Sequence, residues 1–381
     1  MGKRKSSKEK ERPPPPSMSQ LESDFAASGM QDYLETHRTR VFCGSDSNTS
    51  AKYYGSSSSY VAAGVDSSQN LKQFEDALDI KVTKLDEESI EFELIGVSPS
   101  YANALRRILI SEVPTMAIEH VFFLNNTSTI PDEILAHRLG LIPIAADPSA
   151  FEFRGGGEME GWVRKDQKNT IVLGLKIACT KDSNTQEVKN AKVLSKQLIW
   201  KAGGSDIPDE TNVRFTSSQE KNFPQAIGPV HDDILLAKLS LGQEIELEAH
   251  CTKGNGAEHA KWSPVATAWY RLCPEVVLLR EVTGNDAEEL MRQFKDAPET
   301  CPLALKGGKI VVKDERPHLE CLERVRALQL EEKWSSSIQL RKRKDHFLFT
   351  VESTGAYSPA KLVREALSIL KQKSNNISMF V

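Results

Sequence analysis

The sequence predicts an α+β fold in which strand–helix segments occur at both ends of the ordered region. Residues 80–95 contain two segments that alternate apolar and polar side chains. Two amphipathic helices each follow a Ser-Pro pair, one near each end, and the stretch 150–270 between them is mostly strand-like and loop-like. With 381 residues, the chain is long enough for about two to three domains.

Charge and cysteine spacing exclude several classes of protein. Lys and Arg number 49 against 53 Asp and Glu, and this net charge of −4 argues against a protein that coats nucleic acid or an anionic membrane. No apolar run approaches the length of about 18 residues that a membrane span needs, and the N-terminus lacks the apolar segment of a secretory signal. The six cysteines form no CxxC pair, which disfavours a zinc ribbon and is typical of a reducing compartment. We therefore expect a soluble intracellular chain.

Residues 1–72 are predicted to be a disordered tail. The segment opens with six basic residues, continues with Pro13–Pro16 and then becomes rich in serine, while its apolar residues are sparse and follow no period. Such a composition cannot bury enough apolar surface to offset the entropy of ordering. The basic opening is either a nuclear localisation signal or a solvated charged tail, and both interpretations stay open.

The ordered part is predicted to begin near Phe74 with a hairpin. Ile80–Leu85 and Ser89–Ile95 both alternate apolar and polar residues, and an acidic turn separates them. This period of two residues predicts paired strands that bury one face.

The clearest helix of the sequence follows this hairpin. Ser98 is a favourable N-cap, Pro99 fits the first helical position, and Pro114 ends the helix. Arg106 and Arg107 lie opposite the apolar side of the helix. The single apolar stripe consists of Tyr101, Ala104, Leu105, Ile108 and Leu109.

A strand, a second helix and an irregular middle region come next. Met116–Leu124 is predicted to be a strand, and Pro131 begins a short helix that Gly140 ends. His137 and Arg138 lie on the polar side of this helix, which is either solvated or bound to an anion or a partner carboxylate. Four further elements are predicted, namely strands over 171–178 and 244–249 and helices over 286–294 and 319–330.

The chain closes with a strand and a helix that repeat the first ordered segment. His346–Glu352 alternates as a strand, Gly355 turns the chain, and Ser358 with Pro359 begins the last helix. Its stripe consists of Leu362, Val363, Ala366, Leu367 and Leu370. The two helices either cover one sheet within a single chain or pack against a second chain, and composition does not choose between these arrangements.

No motif predicts a bound nucleotide or catalysis. Gly254–Gly256 begins a glycine-rich phosphate loop but has His259 where the third glycine belongs, so ordinary turns explain it better. His259 and Lys261 lack further metal ligands in a plausible spacing, and a base histidine would need a nucleophile and a carboxylate that the sequence does not place. The basic run Arg341–Lys344 precedes the last predicted strand and either contacts phosphates, forms a solvated turn, or forms a charged edge that discourages strand pairing.

Four segments resemble the alpha-type assembly subunits of cellular RNA polymerases. Ser98–Pro114 resembles the first helix of that family, and Pro131–Pro143 resembles the second landmark of its eukaryotic and archaeal branch. His259–Val265 resembles the third landmark and Phe347–Gly355 the closing one. The four segments occur in the order of the family, so their combination is specific. Within the family the chain looks most like the larger alpha-like subunit shared by RNA polymerases I and III.

The resemblance implies a discontinuous dimerisation domain, an antiparallel sheet with two helices, into which a large mixed α/β domain is inserted. The expected boundaries place the tail over 1–72, the dimerisation segments over 73–130 and 335–381, and the inserted domain over 131–334. Residues 273–321 resemble the ferredoxin-like insertion of some archaeal members, but three widely spaced cysteines cannot hold an iron–sulfur cluster. Asp147–Ala178 also lacks the cysteines of the zinc loop in the polymerase II counterpart. The resemblance therefore implies a cluster-free relic of that insertion and a chain without metal or cofactor.

The function that the resemblance implies is assembly without catalysis. The chain is expected to pair with a smaller alpha-like subunit and to form the platform for the two large catalytic subunits, with DNA contacted only through the complex. The expected location is the nucleus, both nucleolus and nucleoplasm. The partner interface is expected to contain Tyr101, Asn103, Leu105, Arg106, Arg107, Ile108, Leu109, Leu362, Val363, Leu367 and Leu370. Contacts to a large subunit are expected from the two arginines and from His137, Arg138, Lys261 and Trp262.

Other functions stay open at this point. The nearest alternatives are a polymerase II-type or an archaeal-type subunit of the same family. A stand-alone enzyme would use His259 and its neighbours, and a nucleic-acid-binding module would use the basic N-terminus and Arg341–Lys344.

Overall fold

The strands of the protein follow the alternation of apolar and polar residues in its sequence, and its two long helices follow the apolar stripes. The computed structural model describes residues 36–44, 48–49, 70–154, 165–181, 188–211, 213–221, 223, 226–294, 301–313 and 319–379. The chain divides into two compact units, the first made of Met1–Leu78 and Leu272–His346, the second of Asp79–Arg271 and Phe347–Val381. No helix within the described residues is long and apolar enough to span a membrane.

The bounds of the elements are as follows. The strands are β1 (Arg40–Cys43), β2 (Asn48–Thr49), β3 (Asp79–Leu85), β4 (Ser89–Ile95), β5 (Thr115–Asn126), β6 (Ile144–Ala145), β7 (Thr170–Ala178), β8 (Thr180–Lys181), β9 (Val188–Lys189), β10 (Lys192–Leu194), β11 (Ile199–Trp200), β12 (Gly228–Pro229), β13 (Leu235–Lys238), β14 (Glu244–Gly254), β15 (Val265–Leu278), β16 (Leu303–Lys306), β17 (Lys309–Val312) and β18 (Ile338–Ser353). The helices are α1 (Leu71–Ala77), α2 (Pro99–Ser111), α3 (Asp132–Gly140), α4 (Pro208–Thr211), α5 (Gly284–Arg292), α6 (Leu319–Leu328), α7 (Glu332–Ser335) and α8 (Pro359–Ser378).

The first sheet of the second unit is built on the predicted hairpin. β3 pairs antiparallel with β4, so that Ile80 lies opposite Leu94 and Val82 opposite Phe92, and β4 lies beside β18. Phe92 stacks on Phe349 of β18 with ring centroids 5.0 Å apart. Helices α2 and α8 pack against each other, and α8 also packs against β4. The fold is thus α+β, with the two predicted helices on the apolar side of an antiparallel sheet.

The hairpin differs from the prediction in its first strand. Alternate residues of β4 are buried, but all seven residues of β3 are exposed. Ile80, Val82 and Leu85 are 50%, 58% and 57% exposed. These side chains are exposed because β3 is the outermost strand of the described sheet.

The larger core of the second unit lies on the other sheet, whose strand order is β11-β7-β14-β5. The two strands predicted in the middle region are both present, and the second is longer than predicted because β14 continues to Gly254. Helix α3 packs against β5 and β13 and buries Leu135 and Leu139. Its third predicted apolar residue, Ile134, is 54% exposed.

From the end of β15 to the beginning of β18, the longer elements of the first unit follow in the order β-α-β-β-α-β, with the four-residue helix α7 between α6 and β18. Ferredoxin-like folds share this order. Its core includes Cys301, Cys321 and Trp334, all of them buried. The order supports the prediction of a ferredoxin-like relic, which stays a prediction.

Part of the predicted disordered tail is ordered in the structure. β1 pairs antiparallel with β18, so that Arg40 lies opposite Arg343, and Cys43 is buried in the core of the first unit. The Arg40 guanidinium donates to the Glu275 carboxylate at 2.6 Å. Long-range pairing orders this short apolar segment, whereas residues 1–35, 45–47 and 50–69 of the predicted tail lie outside the described residues.

The basic run Arg341–Lys344 lies within a strand, so it is not the predicted solvated turn. Its first three residues pair with β1, so the run does not prevent strand pairing either. β18 begins at Ile338, and within it the Arg341 guanidinium lies 5.1 Å from the centre of the Phe42 ring. Lys344 Nζ donates to the His37 carbonyl oxygen at 3.0 Å. The resemblance implies that the first dimerisation segment ends at residue 130 and that the second begins at residue 335. These boundaries stay a prediction.

Candidate functional site

The helix pair of the second unit begins in the same way at both ends of the domain. Ser98 and Ser358 are extended residues before Pro99 and Pro359, and neither serine side chain caps its helix. The proline supplies the fixed φ of the first turn and lacks the N–H that would otherwise be unsatisfied there. The carbonyl oxygen of Ser358 accepts the first helical hydrogen bond, from the Leu362 amide, at 3.0 Å.

Half of the apolar residues predicted for the interface are already buried by this chain itself. Leu105, Ile108 and Leu109 of α2 are between 0% and 4% exposed, and Leu362 of α8 is 0% exposed. These residues form the domain's own core, between the helices and the sheet. Their burial leaves a smaller apolar surface for a partner than the stripe alone suggests.

The apolar surface that stays open lies on the outer side of the helix pair. Tyr101 is 48% exposed and Leu367 is 41% exposed, while Val363 and Leu370 are half-buried. From residue 371 onwards α8 is exposed throughout, and Ile377 there is 66% exposed. The last turns of this helix therefore extend past the core of the domain.

The arginine pair on α2 is arranged on the polar side of the helix. The Asn103 amide oxygen accepts hydrogen bonds from Arg106 Nε at 3.2 Å and from Nη2 at 2.9 Å. Arg106 is therefore held in one orientation and half-buried, while Arg107 is exposed. At the end of the helix, Glu112 pairs with Lys373 of α8 at 2.5 Å, which ties the two helices together.

The two residues predicted on α3 as contacts to a large subunit are both exposed, and one of them is anchored by hydrogen bonds. Arg138 donates from Nε to the Leu236 carbonyl oxygen at 3.1 Å and from Nη2 to that of Leu235 at 2.5 Å. It therefore fastens α3 to β13. His137 is exposed in the last turn of the helix, next to the exposed Leu141.

Lys261 and Trp262 hold a turn between two strands. Trp262 is buried, and its indole N–H donates to the Thr252 carbonyl oxygen at 3.1 Å. Lys261 Nζ bonds the Ile118 carbonyl oxygen at 3.1 Å, pairs with the Glu119 carboxylate and lies 4.4 Å from the centre of the Trp262 ring. His259 Nδ1 accepts the Lys261 amide at 3.1 Å, which is a capping role and not the geometry of a general base.

A buried polar network on β14 was not predicted from the sequence. Glu248 and His250 are 1% and 0% exposed, and His250 Nε2 lies 2.7 Å from the Glu248 carboxylate. Burial lowers the pKa of His250, so Nδ1 is free to accept from Lys165 Nζ at 3.4 Å. Burial and the nearby Arg154 lower the pKa of Lys165 to about 8. The sequence predicted only a strand here, and the alternation of glutamates with apolar residues along it did not show that Glu248 would be buried.

Comparison with known proteins agrees with this arrangement of helices and sheet. Residues 91–374 match the model of the RNA polymerase Rpb3/Rpb11 dimerisation domain. The chain is 42% identical over 320 residues to "DNA-directed RNA polymerases I and III subunit RPAC1" of Mus musculus, a match that covers 82% of this chain and 86% of that protein. It is 37% identical over 351 residues to the Dictyostelium discoideum subunit rpac1 of polymerases I and III, covering 90% and 93%. It is 33% identical over 318 residues to the Dictyostelium discoideum polymerase II subunit rpb3, covering 81% and 97%. From the matched segment, which contains both helices and the strands beneath them, the chain belongs to the Rpb3/Rpb11 dimerisation family of RNA polymerase subunits.

Proposed function

We propose that this chain is a non-catalytic assembly subunit shared by RNA polymerases I and III. The relatives named for polymerases I and III are 42% and 37% identical to it, and the polymerase II relative is 33% identical. The chain also lacks cysteines over Asp147–Ala178, where the resemblance places the zinc loop of the polymerase II counterpart. Both observations favour the shared subunit over the polymerase II-type alternative.

In this proposal, the chain pairs with a smaller alpha-like subunit, and the heterodimer carries the two large catalytic subunits. The observation that carries the proposal is the open outer side of the α2–α8 pair inside a segment that matches a dimerisation domain. Tyr101 and Leu367 are the central apolar contacts, and the exposed end of α8 extends the surface. Nucleotide polymerisation belongs to the large subunits, so this chain touches DNA only through the complex.

Contacts to a large subunit are proposed for polar residues of the same compact unit. Arg107 and His137 are exposed, and Arg106 presents a guanidinium fixed by Asn103. A guanidinium fixed in this way can form bidentate bonds with a carboxylate. Arg138, which is also exposed, and the half-buried Lys261 are held at this surface by bonds to β13 and β5, and the buried Trp262 bonds β14.

Purification of the tagged full chain from nuclear extract tests the proposal. Mass spectrometry should identify one smaller alpha-like subunit in equal amount, together with the large subunits of polymerases I and III, in fractions that include the nucleolus. Capture of the polymerase II large subunits instead would assign the chain to the alternative subunit type. Recovery of the chain without any polymerase subunit would contradict the proposal altogether.

A further inference from the structure

Two histidines lie opposite each other on neighbouring strands of the sheet β11-β7-β14-β5. His120 of β5 pairs in register with His250 of β14. Side chains at opposite positions of an antiparallel pair project from the same face, so the two imidazoles lie close together. His250 is buried and His120 is half-buried. We call these two residues the histidine pair, and each of them contacts one basic side chain.

The two basic side chains are Arg154 and Lys165, the residues at which one described segment ends and the next begins. Arg154 Nη1 lies 3.1 Å from His120 Nε2, and Lys165 Nζ lies 3.4 Å from His250 Nδ1. Lys165 is 8% exposed, and its ammonium also lies 5.1 Å from the centre of the Phe122 ring. Because the two histidines are neighbours, these contacts hold both basic residues at one place on the sheet.

Both contacts require neutral histidines, because a protonated imidazole has no lone pair with which to accept a hydrogen bond. Burial, together with the neighbouring Lys165 and Arg154, lowers the pKa of His120 to about 4. Burial also lowers the pKa of His250, against the opposing effect of Glu248. The Glu248 carboxylate lies 2.7 Å from His250 Nε2, so the imidazole donates from Nε2 and keeps its lone pair on Nδ1 for Lys165.

We propose that the histidine pair is a clamp that positions Arg154 and Lys165 without a metal ion. The resemblance places the zinc loop of the polymerase II counterpart within Asp147–Ala178, where this chain has no cysteine. Hydrogen bonds from cations to imidazoles take the place of zinc ligands in this region. The comparison with that counterpart rests on the proposed function, whereas the clamp rests on this chain's own contacts.

The donor set of the clamp does not fit zinc. Zinc in proteins is bound by thiolates, carboxylates and neutral imidazole nitrogens. Each neutral imidazole has one lone pair, and both lone pairs of the histidine pair face a basic side chain. A divalent ion would have to displace a guanidinium from one ring and an ammonium from the other, and both cations would repel it. Among the described segments, no group of three or more His, Cys, Asp or Glu side chains is placed to hold a metal ion.

Trypsin tests the clamp, because it cleaves after arginine and lysine and must take the side chain into its own pocket. The full chain, purified with the polymerase subunits that accompany it, is digested briefly, and mass spectrometry measures cleavage after Arg154 and after Lys165. Each rate is divided by the rate after Arg214, whose side chain is 58% exposed. A side chain held by a histidine must leave that histidine before cleavage, so these ratios report how often each end of the clamp opens.

Leucine and glutamine variants separate the hydrogen bond from the size of the side chain. His120→Leu removes the acceptor and should raise the relative cleavage after Arg154 by at least about threefold, and His250→Leu should do the same after Lys165. His120→Gln and His250→Gln offer an amide oxygen and should stay within about twofold of wild type. His231→Leu, at an exposed histidine, is the control and should change neither ratio.

Equal cleavage of the leucine variants and the wild type would overturn the inference. If a leucine variant is also cut faster after Arg214, it has unfolded, and the glutamine variant then decides: protection of its own site supports the clamp, and loss of protection there overturns it. A zinc chelator should leave the wild-type ratios unchanged, and faster cleavage after chelation would show that a metal holds these residues instead. Recovery of the chain without polymerase subunits would contradict the proposed function and not the clamp.

Discussion

At the scale of single residues, the glycines of the 254–256 turn are required by close packing, which the spacing of a sequence motif does not reveal. The spacing resembled an incomplete phosphate loop, and the absence of a third glycine favoured an ordinary turn. The structure gives a packing reason. A Cβ on Gly254 would lie 2.4 Å from the Trp262 ring, and a Cβ on Gly256 would lie 2.3 Å from the Ile110 carbonyl oxygen. Both contacts join residues that are distant in sequence or belong to different elements, so no local pattern could predict them.

Gly256→Ala should therefore destabilise the second unit. Its methyl group meets a backbone carbonyl in the last turn of α2, which cannot rotate away as a side chain can. We expect a loss of about 1–3 kcal/mol in the free energy of unfolding, measured by urea titration of the heterodimer. Gly228→Ala is the matched control, because nothing lies within 4 Å of its Cβ. Equal stability of the two variants would show that the Ile110 contact is not as close as described.

The half-buried His120 should make the stability of the second unit depend on pH. Burial and Lys165 lower the pKa of His120 to about 4, from an ordinary value of 6.5. The unfolded chain therefore binds the proton first, and the free energy of unfolding should fall as the pH drops from about 6.5 towards 4. His120→Gln keeps an acceptor near Arg154 but cannot titrate, and should reduce this fall by about 1–2 kcal/mol, allowing for partial solvent exposure. Parallel pH profiles of the variant and the wild type would contradict the assignment.

The arginine pair on α2 should act in binding the large subunits and not in forming the heterodimer. Arg106→Ala with Arg107→Ala removes two guanidinium groups from the polar side of the helix and leaves the buried leucines in place. The heterodimer should form normally, while recovery of the large subunits with it should drop several-fold. Arg292→Ala, an exposed arginine of α5, controls for general loss of charge. Normal recovery of whole polymerase by the double variant would show that the two arginines are not needed to bind the large subunits.

At the scale of elements, the sequence predicted which faces are apolar but not what covers them. Periodicity placed α2 and α3 within one or two residues of their observed bounds, it placed the start of α8, and alternation placed β3 and β4. The same patterns treated Leu105 and Leu367 alike, although the first is 4% exposed and the second 41% exposed. Whether a stripe faces its own sheet or a partner depends on tertiary packing, which an amphipathic pattern does not encode.

Substitutions in the two helices should therefore have different consequences. Leu105→Asp places a charge in the domain's own core and should prevent folding of the chain, with or without a partner. Leu367→Asp changes an exposed position and should leave the fold intact while weakening heterodimer formation by about tenfold or more. Limited proteolysis reports the fold, and size-exclusion chromatography reports the pairing. A folded, unpaired Leu105→Asp chain would show that this residue belongs to the interface after all.

At the scale of the whole molecule, the family could be inferred from the order of four segments, but the ordered part of the tail could not. Arg40–Cys43 is only four residues long and carries no signal of its own, and it becomes a strand through pairing with residues about 300 positions away. Likewise β18 extends over 16 residues because the basic run pairs with β1. Contacts across such separations determine where a strand ends, whereas local composition indicates only where one can begin.

The first unit is expected to fold without a metal. Burial, and then the neighbouring Cys301 thiol, raise the pKa of Cys321, whereas a metal ligand must be a thiolate. No group of three or more His, Cys, Asp or Glu side chains within the described part of the chain is placed to hold a metal ion. Elemental analysis of the purified heterodimer should therefore find no stoichiometric zinc or iron on this chain.

The cysteines of this unit should then act only through packing. Cys301→Ser and Cys321→Ser should each lower the free energy of unfolding by about 1 kcal/mol, since buried free cysteine behaves as a small apolar residue. Cys273→Ser is the control and should cost less, because Cys273 is only half-buried. Loss of a structural metal ligand would instead unfold the unit outright. One full equivalent of zinc or iron, together with protease resistance that added metal restores in the wild type but not in the serine variants, would replace the cluster-free relic with a working metal site.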